Sequence, residues 1–267
     1  MIIPIPPFVR RLILCALLVI IPLTASSQGH RGEDELPLDK SLLELPAIQE
    51  SDIILVYTGF VVNYNPEYLI PNWVAYELTA EKVNGDIPRA SGFSMDLDYK
   101  DRQAMREDYS YSGWDKGHMA PSADMKWSQS AMYESFYLTN ICPQNPELNG
   151  RDWHTLENRV RGWAQKYVRV WVVCGPIVNE KQYGTIGEQG VVVPDKFFKA
   201  VLRQGEDGSY YAIAFVFNND SSRQPLNKAV ITVDTLEILI GYDLFSNLDD
   251  KVEAIVESTV SWERWQP

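Results

Sequence analysis

Histidine and cysteine are scarce: the 267 residues hold three of each. His30 lies in a charged N-terminal stretch, which leaves His118 and His154 for a folded part. That scarcity excludes H-E-x-x-H zinc chemistry, and the paired short Cys/His spacings of structural zinc sites are missing. There is no G-x-S-x-G elbow, and no G-x-G-x-x-G follows a predicted strand, which argues against a doubly wound nucleotide fold. Positive charge is short as well, with 24 Lys and Arg against 36 Asp and Glu. A chain this acidic has no broad basic face to lay along a polyanion, so any nucleic acid must be held by a small local site.

Long apolar runs are also missing, apart from Leu12 to Leu23. Arg10 and Arg11 precede that run and Ala25, Ser26 and Ser27 follow it, the order of a secretory signal. It is too short for a comfortable bilayer span. The expectation is cleavage near Ser27 and export to periplasm or medium, with no stable membrane partner afterwards. Leu14 stands before Cys15 where a lipoprotein signal takes a small residue, so lipidation is the weaker option. Removing residues 1–27 takes two arginines and no acids, which moves the net charge from −12 to −14. Cys142 and Cys174 then remain, and both a disulfide and two buried thiols stay open.

What is present is a foldable chain, since 12% aromatic residues is far above what disordered segments carry. Residues 28–50 read as a flexible lead-in with a charged run and little periodicity. The single domain expected over 51–267 begins with strands at Ile53–Tyr57, Phe60–Tyr64 and Asn72–Thr79. A long polar loop runs from Lys82 to Gly113, then a helix is predicted over Ser122–Ser135 and a strand over Phe136–Ile141. The clearest helix spans about Arg151–Tyr167, with Trp153, Leu156, Val160, Trp163 and Tyr167 at helical spacing and Asn149 placed to cap it. Strands follow at Val168–Cys174, Phe197–Gln204 and Tyr210–Phe217, the last two flanking the turn pair Asp207-Gly208. Asp234 and Asp249 are placed to cap two short helices. This order predicts an α+β fold with a largely antiparallel central sheet.

Chemistry concentrates around His118. Gly117 beside it lets the backbone pass close to a ligand, and a neutral imidazole accepts a proton. On the following helix Asn149, Glu157 and Arg161 share one broad face, rotated from Asn149 by ~80° and ~120°. Taken alone, these residues also fit a turn, an Asn cap and a Glu157–Arg161 pair of about 0.3–0.5 kcal/mol.

The strip Asp115-Lys116-Gly117-His118 is followed by Trp127-Ser128-Gln129, by Tyr137-Leu138-Thr139-Asn140-Ile141-Cys142-Pro143-Gln144, and by Leu148-Asn149, Trp153, Leu156 and Glu157. In that order and spacing the sequence resembles the DNA/RNA non-specific endonucleases, the ββα-metal (His-Me finger) nucleases with a D-R-G-H motif that include endonuclease G. Weaker echoes extend the resemblance over roughly Ile53 to Glu257.

The resemblance implies His118 as general base, Asn149 as the metal-ligating asparagine, Glu157 as the glutamate that holds metal-bound waters, and Arg161 as a phosphate-contacting arginine. Arg89 in the long loop is the best match to a second family arginine. Asn140 matches an asparagine near the site, either behind it or with Lys116 among substrate-binding groups, and Asp115 falls behind the metal ligand. Lys116 departs from the motif arginine; it keeps the charge but loses the bidentate fork. The implied cofactor is Mg2+, with Mn2+ as a substitute, and the implied substrates are DNA and RNA cut with low sequence specificity. A homodimer is compatible with the resemblance. The rival readings are a secreted binding protein of the same fold with weakened catalysis and a phosphodiesterase acting on small or lipid phosphodiesters.

Overall fold

The computed structural model describes residues 38–266, so the predicted leader and the first part of the lead-in lie outside the described residues. The strands in chain order are β1 (Ile53–Val56), β2 (Val61–Asn65), β3 (Ile70–Thr79), β4 (Asp115–His118), β5 (Ile141–Gln144), β6 (Arg169–Ile177), β7 (Thr185–Ile186), β8 (Val191–Val192), β9 (Lys196–Gln204), β10 (Tyr210–Asn218) and β11 (Val230–Ile231). The helices are α1 (Ala80–Val83), α2 (Gln129–Glu134), α3 (His154–Lys166), α4 (Leu226–Ala229), α5 (Val233–Ile240) and α6 (Asp250–Ser258).

Seven strands form one sheet in the order β1-β2-β3-β6-β9-β10-β11. Each neighbouring pair is antiparallel, as the α+β reading expects. β9 and β10 make the predicted hairpin, with Gly208 at φ +83° in its turn, a left-handed conformation that suits glycine. Both faces of the sheet are covered, so its central strands are apolar on both sides. On one face Val172 and Cys174 of β6, Phe197 and Val201 of β9, and Phe215 and Phe217 of β10 pack with Trp153 and with Leu156, Val160 and Trp163 of α3. On the other face Trp171 and Val173 of β6, Phe198 and Ala200 of β9, and Ala212 and Ala214 of β10 meet Val233 and Leu236 of α5 and Val256 of α6. The strict alternation along each strand puts side chains i and i+2 on one face. No helix among the described residues is long and apolar enough to cross a membrane.

Several predicted boundaries shift. The packed part starts before Ser51, because Leu45 is buried and the Ala47 N–H bonds the Asp243 carbonyl. The helix expected over Ser122–Ser135 divides into a 3-10 turn at Ser122–Asp124 and α2, which Ser128 caps by accepting the Ala131 N–H. The strand expected from Phe136 is instead a 3-10 turn at Leu138–Asn140 leading into β5. Asn149 does not cap α3: a π-helical turn, Leu148–Trp153, precedes that helix. Thr232 rather than Asp234 caps α5, while Asp249 caps α6 as expected. Cys142 and Cys174 are buried free thiols, and the Cys174 Sγ–H donates to the Met119 carbonyl at 3.1 Å.

Candidate active site

Outside the large sheet, β4 and β5 pair antiparallel, with Asp115 opposite Gln144 and His118 opposite Ile141. The π-helical turn and α3 follow directly, which completes a ββα unit seated on the α3 face of the sheet. Gly117 is required by its neighbour across the pair: a Cβ there would stand 2.3 Å from the Gln144 Oε1, and Gln144 is fully buried. Glycine therefore lets β4 lie against β5 and fixes the position of His118 one residue on.

Arg89, Lys116, His118, Asn149, Glu157 and Arg161 all line one cleft of ≈ 430 Å³, with Ser122 and His154 on its wall. Six of the sequence-derived site residues, spread over more than seventy positions of chain, are thus brought together. The imidazole of His118 is clamped between rings, 5.3 Å from Phe93 and 4.9 Å edge-on from Phe136. Its Nε2 is buried with no hydrogen-bond partner among the described residues. Burial, and then the charge of Arg89, push its pKa down to about 3, so the ring is neutral with a free lone pair at neutral pH.

Asn149 donates its Nδ2–H to the Asp115 Oδ2 at 2.9 Å. With the nitrogen engaged, its carbonyl oxygen is the end of the amide left to serve the cleft. The glutamate two turns along, Glu157, makes no hydrogen bond to any described residue, and burial raises its carboxyl to about 7 against the pull chiefly of Lys199. An amide oxygen and a carboxylate without protein partners are the donors a hard divalent cation takes, and the cation keeps its remaining places for water. The residues present fit such an ion.

Arg161 does not pair with Glu157 as an i,i+4 bridge. Its Nη1 binds Asp124 Oδ1 at 2.6 Å and its Nη2 binds Asn158 Oδ1 at 2.8 Å. Burial works against this guanidinium charge, but Asp124 outweighs it and holds the group above its ordinary value. Asp124 is fully buried and also accepts the Tyr76 hydroxyl at 3.0 Å. Arg89 stacks on the Phe136 ring at 4.9 Å and donates to Ser122 Oγ. Lys116 sits 5.0 Å from the Tyr109 ring and 5.7 Å from Phe93, where burial lowers its pKa.

Asn140 stands behind the site rather than among the groups that line the cleft. It is fully buried, its Oδ1 accepts the Ala120 N–H, and its Nδ2 serves the Ala120 and Ser135 carbonyls. Nothing of its amide remains for a substrate; it ties the chain after His118 to β5. Sequence reasoning missed Asp124, Phe93 and Phe136, and gave no role to His154, an exposed residue on the cleft wall. Asp124 lay inside a stretch read as helix, and its pairing with α3 has no local signal.

The comparisons agree with this geometry. The family model for the DNA/RNA non-specific endonuclease matches residues 45–251. Among curated proteins, the chain is 33% identical to the mitochondrial nuclease EXOG of Mus musculus over 83% of this chain and 64% of that protein. It is 29% identical to endonuclease G of Homo sapiens over 71% of this chain and 68% of that protein. It is also 34% identical to the mitochondrial nuclease of Saccharomyces cerevisiae, over 71% and 64% of the two chains. The match spans 64%, 48% and 57% of the EXOG proteins of mouse, zebrafish (Danio rerio) and human, less than two-thirds of each. A solved EndoG/EndoGI complex superposes with a TM-score of 0.65 at 26% identity, covering 78% of this chain and 91% of that one. These relatives are mitochondrial nucleases, a finding that overturns the expectation of export. With the ββα unit, the cleft and the match over most of its length, the chain belongs to the DNA/RNA non-specific endonuclease family.

Proposed function

We propose that the protein is an endonuclease that hydrolyses phosphodiester bonds of DNA and RNA with low sequence specificity, using His118 as base and a magnesium-class ion held at Asn149. The observation that carries this reading is the neutral, ring-clamped His118 in the same cleft as an oriented asparagine and a partner-free glutamate. Residues 51–267, with the packed segment before them, would form the catalytic domain.

In this reading the ion, when bound, supplies positive charge to a phosphate oxygen and to the leaving oxygen. Asn149 would hold it through its carbonyl oxygen, and Asp115 keeps that oxygen facing the cleft. Glu157 would accept hydrogen bonds from waters beside it. His118 takes a proton from the attacking water, since burial keeps its ring neutral and able to accept one at neutral pH. Manganese would substitute, since the donors are oxygens. Arg161, fixed by Asp124, and Arg89, flattened on Phe136, bind phosphate oxygens and stabilise the added negative charge. Lys116 adds a third cation on the cleft wall. Such contacts reach the backbone and not the base edges, so they read little sequence. They also concentrate positive charge locally in a chain of net charge −12.

The test is incubation of the protein with supercoiled plasmid and with RNA, in magnesium and in chelator. Cleavage that needs the divalent ion and disappears in His118→Ala supports the reading. Intact plasmid and RNA under every divalent metal tried, by folded protein, would sink it, and turnover of a short bis-ester alone would point to a small-substrate phosphodiesterase.

A further inference from the structure

On the sheet face away from the cleft, α5 and α6 pack together over the second apolar cluster. There Asp234 and Glu237 of α5 and Glu257 of α6 each bring a carboxylate oxygen to within 4.8 Å of the others. Asp243 and Glu253 add further negative charge that Glu257 feels. No ion pair among the described residues includes any of these five acids.

Glu257 is the informative member. It is 5% exposed, and its Oε1 is buried with no hydrogen-bond partner among the described residues. A second oxygen, Oε1 of Glu253, is also buried and has no partner among the described residues. Burial, and then the charge of Glu237, push the Glu257 carboxyl up to about 9. Three converging carboxylates with a buried, unanswered oxygen call for a counter-charge, because like charges at this range repel strongly away from bulk water.

The geometry also fits a particular kind of counter-charge. Asp234 and Glu237 are one helical turn apart on α5, while Glu257 faces them from α6. Glu237 is held in place because its Oε1 accepts the Leu244 N–H at 2.7 Å. Asp234 is exposed, which leaves one side open to waters that complete a coordination shell. Calcium takes several carboxylate oxygens in flexible geometry, whereas magnesium usually takes one or two carboxylates and keeps its waters, so three converging carboxylates suit calcium better.

We propose that Asp234, Glu237 and Glu257 form a structural site for a hard divalent cation of the calcium class, which joins α5 to α6 on the face opposite the catalytic cleft. The site is independent of the nuclease reading, since it shares no residue with the cleft.

Calcium titration of the full chain tests this, by calorimetry and by thermal melts. Asn149→Ala serves as a background in which the cleft contributes no ion binding. In that background a hundredfold excess of calcium over its Kd raises Tm by about 5–10 °C. Asp234→Asn, at an exposed position, and Glu257→Gln each weaken calcium binding at least tenfold and remove most of that rise, while magnesium-dependent plasmid cleavage in otherwise wild-type protein is unchanged. Glu257→Gln also melts no lower than its parent in calcium-free buffer at neutral pH, because the amide replaces a carboxyl already held protonated there. The proposal is overturned if calcium leaves Tm unmoved, if both variants respond to calcium as the parent does, or if magnesium alone gives a rise of equal size. An unmoved Tm in calcium, joined to a Tm that rises as pH falls from 9 to 6, would assign the cluster to shared protons instead.

Discussion

Asn149 and Asp115, thirty-four residues apart in sequence, are joined by a 2.9 Å hydrogen bond from the asparagine Nδ2 to the aspartate Oδ2. The bond crosses from the turn before α3 to the first residue of β4, so it couples two arms of the ββα unit. It decides which end of the amide is free. Asp115→Ala is therefore expected to leave the fold intact and to weaken apparent magnesium affinity in plasmid cleavage by about 10–100-fold, the usual cost of losing a group that orients a metal ligand. A magnesium titration checks this. An unchanged half-saturation point would mean that Asn149 needs no such orientation.

The ion pair of Arg161 and Asp124 is of a different kind, since Asp124 is fully buried. Removing one partner of a buried pair leaves the other charge or its bonds unanswered, at a cost of about 3–5 kcal/mol. Asp124→Ala also strips the Tyr76 hydroxyl of its acceptor. It should therefore lower both stability in urea melts and activity, and Arg161→Met should do the same, because it leaves the fully buried Asp124 carboxylate without its counter-charge.

Most of the fold was legible from the sequence. The apolar stripe Trp153, Leu156, Val160 and Trp163 marked α3, and Asp207-Gly208 marked the β9–β10 hairpin, because both signals are local. Errors gathered where local pattern competes with distant contacts. Asn149 resembles a helix cap by sequence, but Asp115 engages its side chain and a π-helical turn takes the cap's place. Asn140 resembles a site residue by its motif, yet the chain between His118 and β5 uses its whole amide. Arg161 has Glu157 at helical spacing and takes Asp124 instead, since a pairing across the fold has no period to read.

Gly117 gives a prediction with a built-in rescue. A Cβ at this position meets the Gln144 side chain at 2.3 Å, so Gly117→Ala must push β4 from β5 and displace His118. Cleavage should fall by more than tenfold, since misplacement of a reacting group by about 1 Å costs on the order of 100-fold. Adding Gln144→Gly, which also removes the Gln144 Cβ that would stand 2.7 Å away, opens the space and should restore a good part of the rate. A double variant no better than Gly117→Ala would refute the steric account.

Stability against pH, in metal-free buffer, should carry two opposing contributions from the cleft. The His118 pKa is depressed to about 3 from an ordinary 6.5, so between those values the unfolded chain binds the extra proton. Its contribution is fully present above pH 6.5 and is lost as pH falls toward 3. Glu157 is raised to about 7 from 4.5, so the folded chain holds the extra proton. Its contribution is present below pH 4.5 and is lost as pH rises toward 7. In urea melts from pH 7 to 4, His118→Asn should therefore lose less stability on acidification than the parent, and Glu157→Gln should lose more. Parallel curves for all three would contradict both shifts.

Lys116 stands where the family motif has arginine, and its surroundings explain how the site works with it. Its ammonium lies 5.0 Å from the Tyr109 ring and 5.7 Å from Phe93, which in turn packs on His118 at 5.3 Å. The rings support a point charge on the cleft wall, but they do not supply the two parallel hydrogen bonds a guanidinium makes to phosphate. Lys116→Arg should therefore lower KM for polymeric DNA several-fold with little change in kcat. Lys116→Met should raise KM and reduce the slope of log KM against log salt by about 0.9, the share of one phosphate contact. Measuring KM across a salt series for the three proteins separates these outcomes. An unchanged slope in Lys116→Met would show that this lysine holds the rings and the His118 strand rather than the substrate.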